Sequence, residues 1–513
     1  MARIASTRLS RLLTGWSSEG PGPLPRRLAD ALRELAERGD VPAGTVLPSQ
    51  RELALVLAVS RSTVTSAYGL LEAEGWLESV RGSGSRLRGS GALDRYVAEG
   101  RLVSFDARTG TGTADVADLS SGALPGLGAV GEAVGALTSG DLGGLLVADG
   151  YHPYGIPALR EGIAAYYRAA GVPTEAAEIL VTAGSQQAVW LVAQALVEPG
   201  DTVVVEDPTY RGALEALRAR GARLVPVGTE GADGGDGSGA AAVRRLSAHG
   251  RPRLVYLQPT VHNPTGRTLD GAARREWRRV LEDLELFTVE DTACAELALG
   301  DGDEDEGGTV GRGGGDNGGH GSGDRGRDGY GESAGAGAPA PLVAGLPMAS
   351  TVTVGTLSKL FWGGLRVGWV RSSPQVVARL AKIKTSVDLS CSVMDQLVAV
   401  RLLDRLPEAR ARRRAELRAQ RDTAEALLRS GAPHWEWTRP AGGAALWVRV
   451  PGTDTETLAQ LARRRGVSVV PGSAFSPVDG FRDRLRLPYA HGTAALAAAL
   501  PTLLECAERA AAG

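Results

Sequence analysis

"GTLSKLFWGGLRVGW", Gly355–Trp369, holds Lys359, one of only three lysines in a chain of 513 residues. The others are Lys382 and Lys384, and all further basic side chains are arginines. Arginine serves for charge alone. A lysine after an apolar run, with turn-forming glycines beyond it, marks a site that needs an amine able to lose its proton, which a guanidinium cannot do.

Outward from that lysine the pattern is α/β. "EILVTAG", "TVVVED", "RLVPV", "RLVYLQP", "LFTVED" and "STVTVGT" are short β-rich runs, with helical stretches between several of them. They predict a mainly parallel sheet covered by helices, whose ligands sit at the carboxyl ends of the strands. Several polar groups fall at those ends. Together they suit pyridoxal phosphate held on Lys359. Its phosphate wants backbone N–H groups at a helix start, and "TAGSQQAV" offers Gly184, Ser185 and Gln186. Arg366 supplies a cation for the same phosphate, and Ser358 stands beside the lysine. Asp291 ends a strand and suits the pyridine nitrogen. Tyr210 in "EDPTYRG" offers an aromatic plate, Asn263 in "HNPTG" a donor for the phenolic oxygen, and Arg486 in "RLRLPYA" a forked cation for a substrate carboxylate.

Taken singly, each has an ordinary structural explanation: a helix start, a strand-end carboxylate, a surface arginine, a core-edge tyrosine. Their order in the chain is what joins them. That order, with "HNPTG" and "SKLFWGGLRVGW", resembles the fold-type I aminotransferases over roughly residues 119–513. The resemblance implies a Schiff base at Lys359 and a site shared across a homodimer. It also implies a smaller C-terminal α+β subdomain over about 373–513, and a tyrosine, Tyr151 in "YHPYGIPALRE", that crosses to the partner's phosphate. One departure matters. The family usually carries a tyrosine two or three residues after the aspartate, bonding the phenolic oxygen. Here "EDTACAEL" places Ala293 and Cys294, and a thiol is a much weaker donor than a phenol. At most weak transaminase activity is expected.

The N-terminal segment reads differently. Residues 1–88 hold 12 arginines against 9 acidic residues, a local +3 in a chain of net charge -2. Leu28, Leu32 and Leu35 recur at helical spacing, with Gly39 as a stop. Ser49 and Glu52 form a capping box for a second helix, and Ser60 caps a third after a tight "AVS" turn. The pair predicts a helix-turn-helix, and "WLESVRGSGSRLRG" a wing. A helical adaptor shares this periodicity. The exposed face, Arg61-Ser62-Thr63 with Thr65 a turn on, favours phosphate and base-edge contacts. "LPSQRELA", "VSRSTV" and "LLEAEGWL" resemble the winged helix-turn-helix of GntR-type regulators over residues 22–88. By that resemblance the DNA contacts are Arg51, Arg61, Ser62, Thr63, Thr65, Arg81 and Gly82.

Length implies two or more domains. Residues 89–118 are Gly/Thr-rich and read as a linker. The Gly-rich stretch near 228–242 and the Gly/Asp-rich one at 300–341 are too poor in apolar residues to fold, so both are expected to be disordered loops. His320 in the second reads as solvated. Cys294, Cys391 and Cys506 lack metal-ligand spacing, and no metal is expected. No membrane span or signal peptide is evident, so the expected place is the cytoplasm. The whole architecture resembles the MocR/GabR subfamily of GntR regulators. It implies a homodimeric regulator that binds a double-stranded DNA operator and senses pyridoxal phosphate, or an amine or amino acid forming an aldimine at Lys359. The alternatives are a working aminotransferase carrying a DNA-binding domain, and a DNA-binding scaffold with a dead domain.

Overall fold

The computed structural model describes residues 4–13, 16–17, 22–38, 40–41, 44–74, 76–80, 84–87, 117–228, 238–300, 340–490 and 492–511. The chain divides into two compact units, Met1–Asp115 and Val116–Gly513.

In the first unit α1 (Ser6–Leu12), α2 (Leu24–Arg38), α3 (Gln50–Val56) and α4 (Arg61–Ala73) precede a hairpin of β1 (Leu77–Val80) and β2 (Gly84–Leu87). Leu28, Leu32 and Leu35 of α2 bury against Leu53 of α3 and Val64, Tyr68 and Leu71 of α4. Ser49 and Glu52 close the capping box at the start of α3. Ser60 Oγ accepts the Thr63 N–H at 3.1 Å and so starts α4. Between them Ala58 takes a left-handed φ of 53°, which makes the turn tight. Helix α1 carries no side-chain cap, and Leu9 and Leu13 bury into the same core. The wing tip, including Arg81 and Gly82, lies outside the described residues.

The second unit is built on a seven-stranded sheet. Its strands are β4 (Ile179–Thr182), β5 (Thr202–Asp207), β6 (Arg223–Gly228), β7 (Leu254–Leu257), β8 (Thr288–Asp291), β9 (Thr351–Thr356) and β10 (Gly368–Arg371). Their spatial order is β4-β10-β9-β8-β7-β5-β6. The pairings from β9 to β6 are parallel, while β10 runs antiparallel to β9 and β4. β7, β8 and β9 are buried along their whole length. Strands covered on both faces read as continuous apolar or β-branched runs, as these do. Leu191, Val377 and Leu380 lie in one of the cores against the sheet, and Trp277, Val280 and Leu281 in another. The carboxyl ends of β5, β7, β8 and β9 therefore meet at one edge.

A second sheet, β11 (Glu436–Trp437), β12 (Ala445–Arg449), β15 (Arg484–Pro488) and β14 (Val470–Pro471), is antiparallel in that order. β13 (Val467–Ser468) pairs with β3 (Ala117–Asp118), so the first described residues of this unit join its C-terminal lobe. Two expectations need correction. The helices Pro374–Asp388 and Val393–Leu403 pack with the seven-stranded sheet and the helices beside it. The smaller lobe's core takes up the long helix Leu406–Gly431 only from Leu417, later than about 373. Residues 239–242 are not a loop: Ser238 caps a helix over Gly239–Ser247, its Oγ accepting the Ala241 N–H at 3.1 Å. The rest of that stretch from 229, most of 89–118, and 301–339 with His320 lie outside the described residues.

Candidate functional site

Lys359 lies in the turn after β9, half-buried. β8 runs beside β9 with Asp291 opposite Val354, which carries the Asp291 carboxylate to the same edge. Asp291 is 2 % exposed. Its Oδ2 accepts the Tyr256 hydroxyl at 2.6 Å and the Gln258 amide at 3.4 Å, and its Oδ1 accepts the Ala293 N–H at 2.9 Å. Burial pushes this carboxyl up, against the pull of Tyr256, Ala293, Lys359 and Gln258. Burial also pushes the Cys294 thiol up to about 11, where Lys359 and Arg486 lower it and Asp291 raises it. Cys294 thus stands within electrostatic reach of all three, as a neutral thiol at neutral pH.

The candidate phosphate cradle lies where β4 becomes a helix. Gly184, at φ +79°, is the N-cap of the helix Ser185–Leu196. The first N–H groups of a helix have no partner within it and suit an anion. A Cβ on Gly184 would stand 2.6 Å from the Arg366 guanidinium, and one on Gly368 would stand 2.5 Å from the Gly184 carbonyl carbon. Only glycines admit this approach. Arg366 donates to the Ala183 carbonyl at 2.6 Å. Tyr210 donates to Gln186 Oε1 at 2.7 Å, which puts its ring beside the cradle. Asn263 lies half-buried in the turn after β7, before the cis Pro264.

Arg486 sits on β15, 8 % exposed. Its guanidinium donates to the Ser120 carbonyl and lies 5.1 Å from the Phe475 ring centroid. Tyr151 is 58 % exposed in the loop before the helix Pro157–Ala169, and its N–H bonds Asp149. The structure therefore links Lys359, Asp291, Cys294 and Arg486 electrostatically, and groups Gly184, Gln186, Tyr210 and Arg366 by contact. Tyr151 faces solvent.

Sequence reading missed Tyr256 and Gln258, which orient Asp291, because their partner lies on the neighbouring strand. The alternation in "RLVYLQP" was the available signal: Tyr256 and Gln258 are two apart and reach the same carboxylate. Also unforeseen was Arg413, which bonds the carbonyls of Leu360 and Phe361 just past the lysine, and of Pro125. His262 is fully buried, and desolvation first, then Arg267, lower its pKa to about 3, so it is a neutral imidazole.

In the first unit Arg51, Arg61, Ser62 and Thr65 are exposed and Thr63 half-buried. The Ser62 and Thr63 hydroxyls both bond Ser60 Oγ at 2.7 Å. Thr65 Oγ1 donates to Gln50 Oε1 and to the Arg61 carbonyl, both at 2.9 Å. Two arginines thus reach solvent from the starts of α3 and α4, while the hydroxyls hold the helices' shape.

Among the described residues no group of His, Cys, Asp or Glu is placed to hold a metal, and no helix is long and apolar enough to cross a membrane. Pyridoxal phosphate, by contrast, fits. Ser358, beside the lysine, is buried, and its Oγ has no hydrogen-bond partner. A phosphate oxygen satisfies such a group, and a protonated pyridine nitrogen satisfies Asp291.

Comparison with known proteins agrees. The family model "Aminotransferase class I and II" matches residues 114–501, and "Bacterial regulatory proteins, gntR family" matches residues 24–87. An uncharacterized HTH-type transcriptional regulator of Bacillus subtilis, YdfD, is 26% identical over 92% of this chain and 93% of its own length. The probable rhizopine catabolism regulatory protein MocR of Rhizobium meliloti is 28% identical over 69% of this chain and 66% of its own. The crystal structure of LysN, an alpha-aminoadipate aminotransferase of Thermus thermophilus complexed with N-(5'-phosphopyridoxyl)-L-leucine, covers 81% of this chain and 98% of its own. It does so at 25% identity and a TM-score of 0.61. The chain belongs to the pyridoxal-phosphate-dependent aminotransferase class I and II family, joined to a GntR-family helix-turn-helix in the manner of the MocR/GabR regulators.

Proposed function

We propose that this chain is a homodimeric, cytoplasmic transcriptional regulator whose aminotransferase-like unit senses pyridoxal phosphate, or an amine or amino acid that takes the place of Lys359 on it. The observation that carries the reading is Cys294. It lies within electrostatic reach of Lys359, Asp291 and Arg486, at the sequence position where the family's phenol is expected, in a chain that also carries exposed arginines at the starts of α3 and α4.

Bound there, the cofactor supplies an electrophilic carbon for amines and an electron-withdrawing ring. The chain's own residues do the rest. Lys359 presents the amine. Gly184, Ser185, Gln186, Ser358 and Arg366 hold the phosphate, Tyr210 covers the ring, and Asn263 donates to the phenolic oxygen. Asp291 keeps the ring nitrogen protonated, its carboxylate oriented by Tyr256. Cys294 donates weakly where a phenol would donate strongly, so proton movement to and from Lys359 is slow and the site favours binding over turnover. Arg486 takes an effector carboxylate. Freeing Lys359 biases one of two arrangements of the chain, which is the requirement for coupling to DNA. On the DNA side Arg51, Arg61 and the Ser62-Thr63-Thr65 face meet phosphates and base edges of the operator, and the resemblance adds Arg81 and Gly82 as contacts.

Leu146 and Val147, exposed apolar residues of the second unit, lie within five residues of the exposed Tyr151 in the chain, and the helices carrying the exposed Val134 and Met394 pack together. An apolar surface of this kind supports a homodimer in which Tyr151 crosses to the partner's phosphate.

The rival reading, a working aminotransferase, is supported by the presence of Lys359, Asp291 and Asn263. One experiment separates them: operator binding and cofactor absorbance are followed while amines and keto acids are added. Effector-dependent DNA binding with little turnover is expected. Fast multiple turnover with a common amino donor and no change in operator affinity would overturn the sensor reading.

A further inference from the structure

The cofactor site uses one lysine of three. Lys382 is exposed, whereas Lys384, four residues before the end of the helix Pro374–Asp388, is 0 % exposed. A buried ammonium is costly unless paired and hydrogen-bonded. In a chain this rich in arginine, a lysine at such a place fits a compact point charge in a closed space. Its partners form a relay. Lys384 Nζ donates to Asp388 Oδ1 at 2.9 Å. Asp388 Oδ2 accepts from Gln187 Nε2 at 2.7 Å, and Gln187 Oε1 accepts from the Ala183 N–H at 2.7 Å. The Ala183 carbonyl is the one that Arg366 holds. The Cys391 thiol also lies beside Lys384.

The relay therefore ends on the turn that makes the cradle, Ala183-Gly184, and holds its N–H while Arg366 holds its carbonyl. Its charge balance matters as much as its geometry. Asp388 stands against the third residue of the helix Ser185–Leu196, close to the N-terminus that a phosphate would occupy. A carboxylate there favours the same positive helix end and repels a phosphate dianion. Lys384 cancels that charge and leaves the carboxylate's hydrogen bonds in place.

We propose that Lys384 is a positioning residue for the phosphate cradle: it neutralises Asp388 and, through Gln187, fixes the Ala183-Gly184 turn in the form that receives a phosphate dianion. This rests on the reading that the cradle holds the phosphate of pyridoxal phosphate.

The test uses the full chain freed of cofactor. Dissociation constants are measured for pyridoxal phosphate and for 5'-deoxypyridoxal, which lacks the phosphate, with inorganic phosphate as a competitor against the first. Lys384→Met is expected to weaken pyridoxal phosphate binding by about tenfold or more, because a nearby like charge is uncovered. Affinity for 5'-deoxypyridoxal should hold, and inorganic phosphate should compete less well. Adding Asp388→Asn removes the stranded charge and should restore most of the lost affinity. An equal loss for both aldehydes shows a merely structural role and overturns the proposal. So does undiminished pyridoxal phosphate binding in Lys384→Met, or a folded double variant that recovers nothing. Should Lys384→Met not fold, Gln187→Met cuts the relay and leaves the ion pair; selective loss of phosphate-dependent affinity supports the role, and unchanged affinity overturns it. A parent chain that takes up no cofactor on Lys359 defeats the cofactor reading itself. A parent that does so, with unaltered variants, defeats only the role of Lys384.

Discussion

The start of α4 and the edge of the seven-stranded sheet hold their polar groups in opposite ways. Arg51 and Arg61 stand in water, and the hydroxyls near them bond partners close in sequence, the farthest being Gln50, 15 residues from Thr65. Asp291 is buried, and its hydroxyl partner, Tyr256, lies 35 residues away; Gln187 and Asp388 lie 201 apart. A surface that meets a charged polymer keeps its cations solvated and lets counterion release supply affinity. A site that must set the protonation of one amine excludes water, because charge interactions there are large and directional. The first kind of site is assembled by local signals, the second only by the finished fold.

The largest expected effect breaks the second region and spares the first. Only a deprotonated amine can attack an aldehyde, so Lys359→Arg keeps the charge and loses the chemistry, and Lys359→Ala loses both. Both variants should lose the absorbance band of protein-linked cofactor, retain weak non-covalent uptake, and keep basal DNA binding. Borohydride reduction followed by peptide mapping checks the assignment in the parent chain. Cofactor trapped on Lys382 or Lys384 would sink it.

The reciprocal experiment breaks the first region. Arg61→Ala removes an exposed cation at the N-terminus of α4, and operator binding should weaken by about 1–3 kcal/mol with a shallower salt dependence. The cofactor band should not change. An unaltered operator preference would remove Arg61 from the recognition face.

The same contrast explains what was legible in the sequence. The capping box at Ser49 and Glu52 and the cap at Ser60 were readable because each is completed within three residues. α1 was not, since it has no cap and its leucines gain meaning only against α2 to α4. In the second unit the strands were readable as apolar runs, and the order of the candidate site residues along the chain was what carried the family resemblance. β10 was hidden where "GGLRVGW" ends and in the two residues past it, because its antiparallel pairing with β4 and β9 is set by neighbours, of which β4 lies far back in the chain. The Lys384 relay and the Tyr256–Asp291 bond join residues from different elements. No local pattern announces them.

A smaller effect tests how dry the strand-end region is. Burial pushes the Asp207 carboxyl, at the end of β5, up to about 6, against a hydrogen bond from Ser476. A carboxyl whose folded pKa lies above its unfolded one adds stability at low pH, and that stability is lost as pH rises through about 6. Asp207→Asn stays neutral throughout. It should raise the melting midpoint of the cofactor-free chain at about pH 8, with the gain shrinking toward about pH 5. A gain that is equal at both would mean the carboxylate is solvated.

The smallest effect is expected where neither region is touched. The second unit grips both ends of the 301–339 stretch. Before it, Arg418 donates to the Gly300 carbonyl at 3.4 Å. After it, Arg274 donates to the Ala340 carbonyl at 2.6 Å, and Arg278 to that of Leu342 at 3.1 Å. The buried Glu290, one residue before Asp291, accepts the N–H groups of Leu342 and Val343 at 3.0 and 2.9 Å. These bonds fix where the described chain breaks off and resumes, whatever the composition between. Loop-closure cost grows only with the logarithm of length, by about 0.6 kcal/mol per doubling, and a shorter loop costs slightly less. Replacing residues 302–338 with a short Gly/Ser linker should therefore leave the melting midpoint and the cofactor band nearly unchanged. Glu290→Gln, which keeps the volume and loses half the accepting capacity, should cost more than the whole replacement. The reverse ranking would show that the stretch packs on the body.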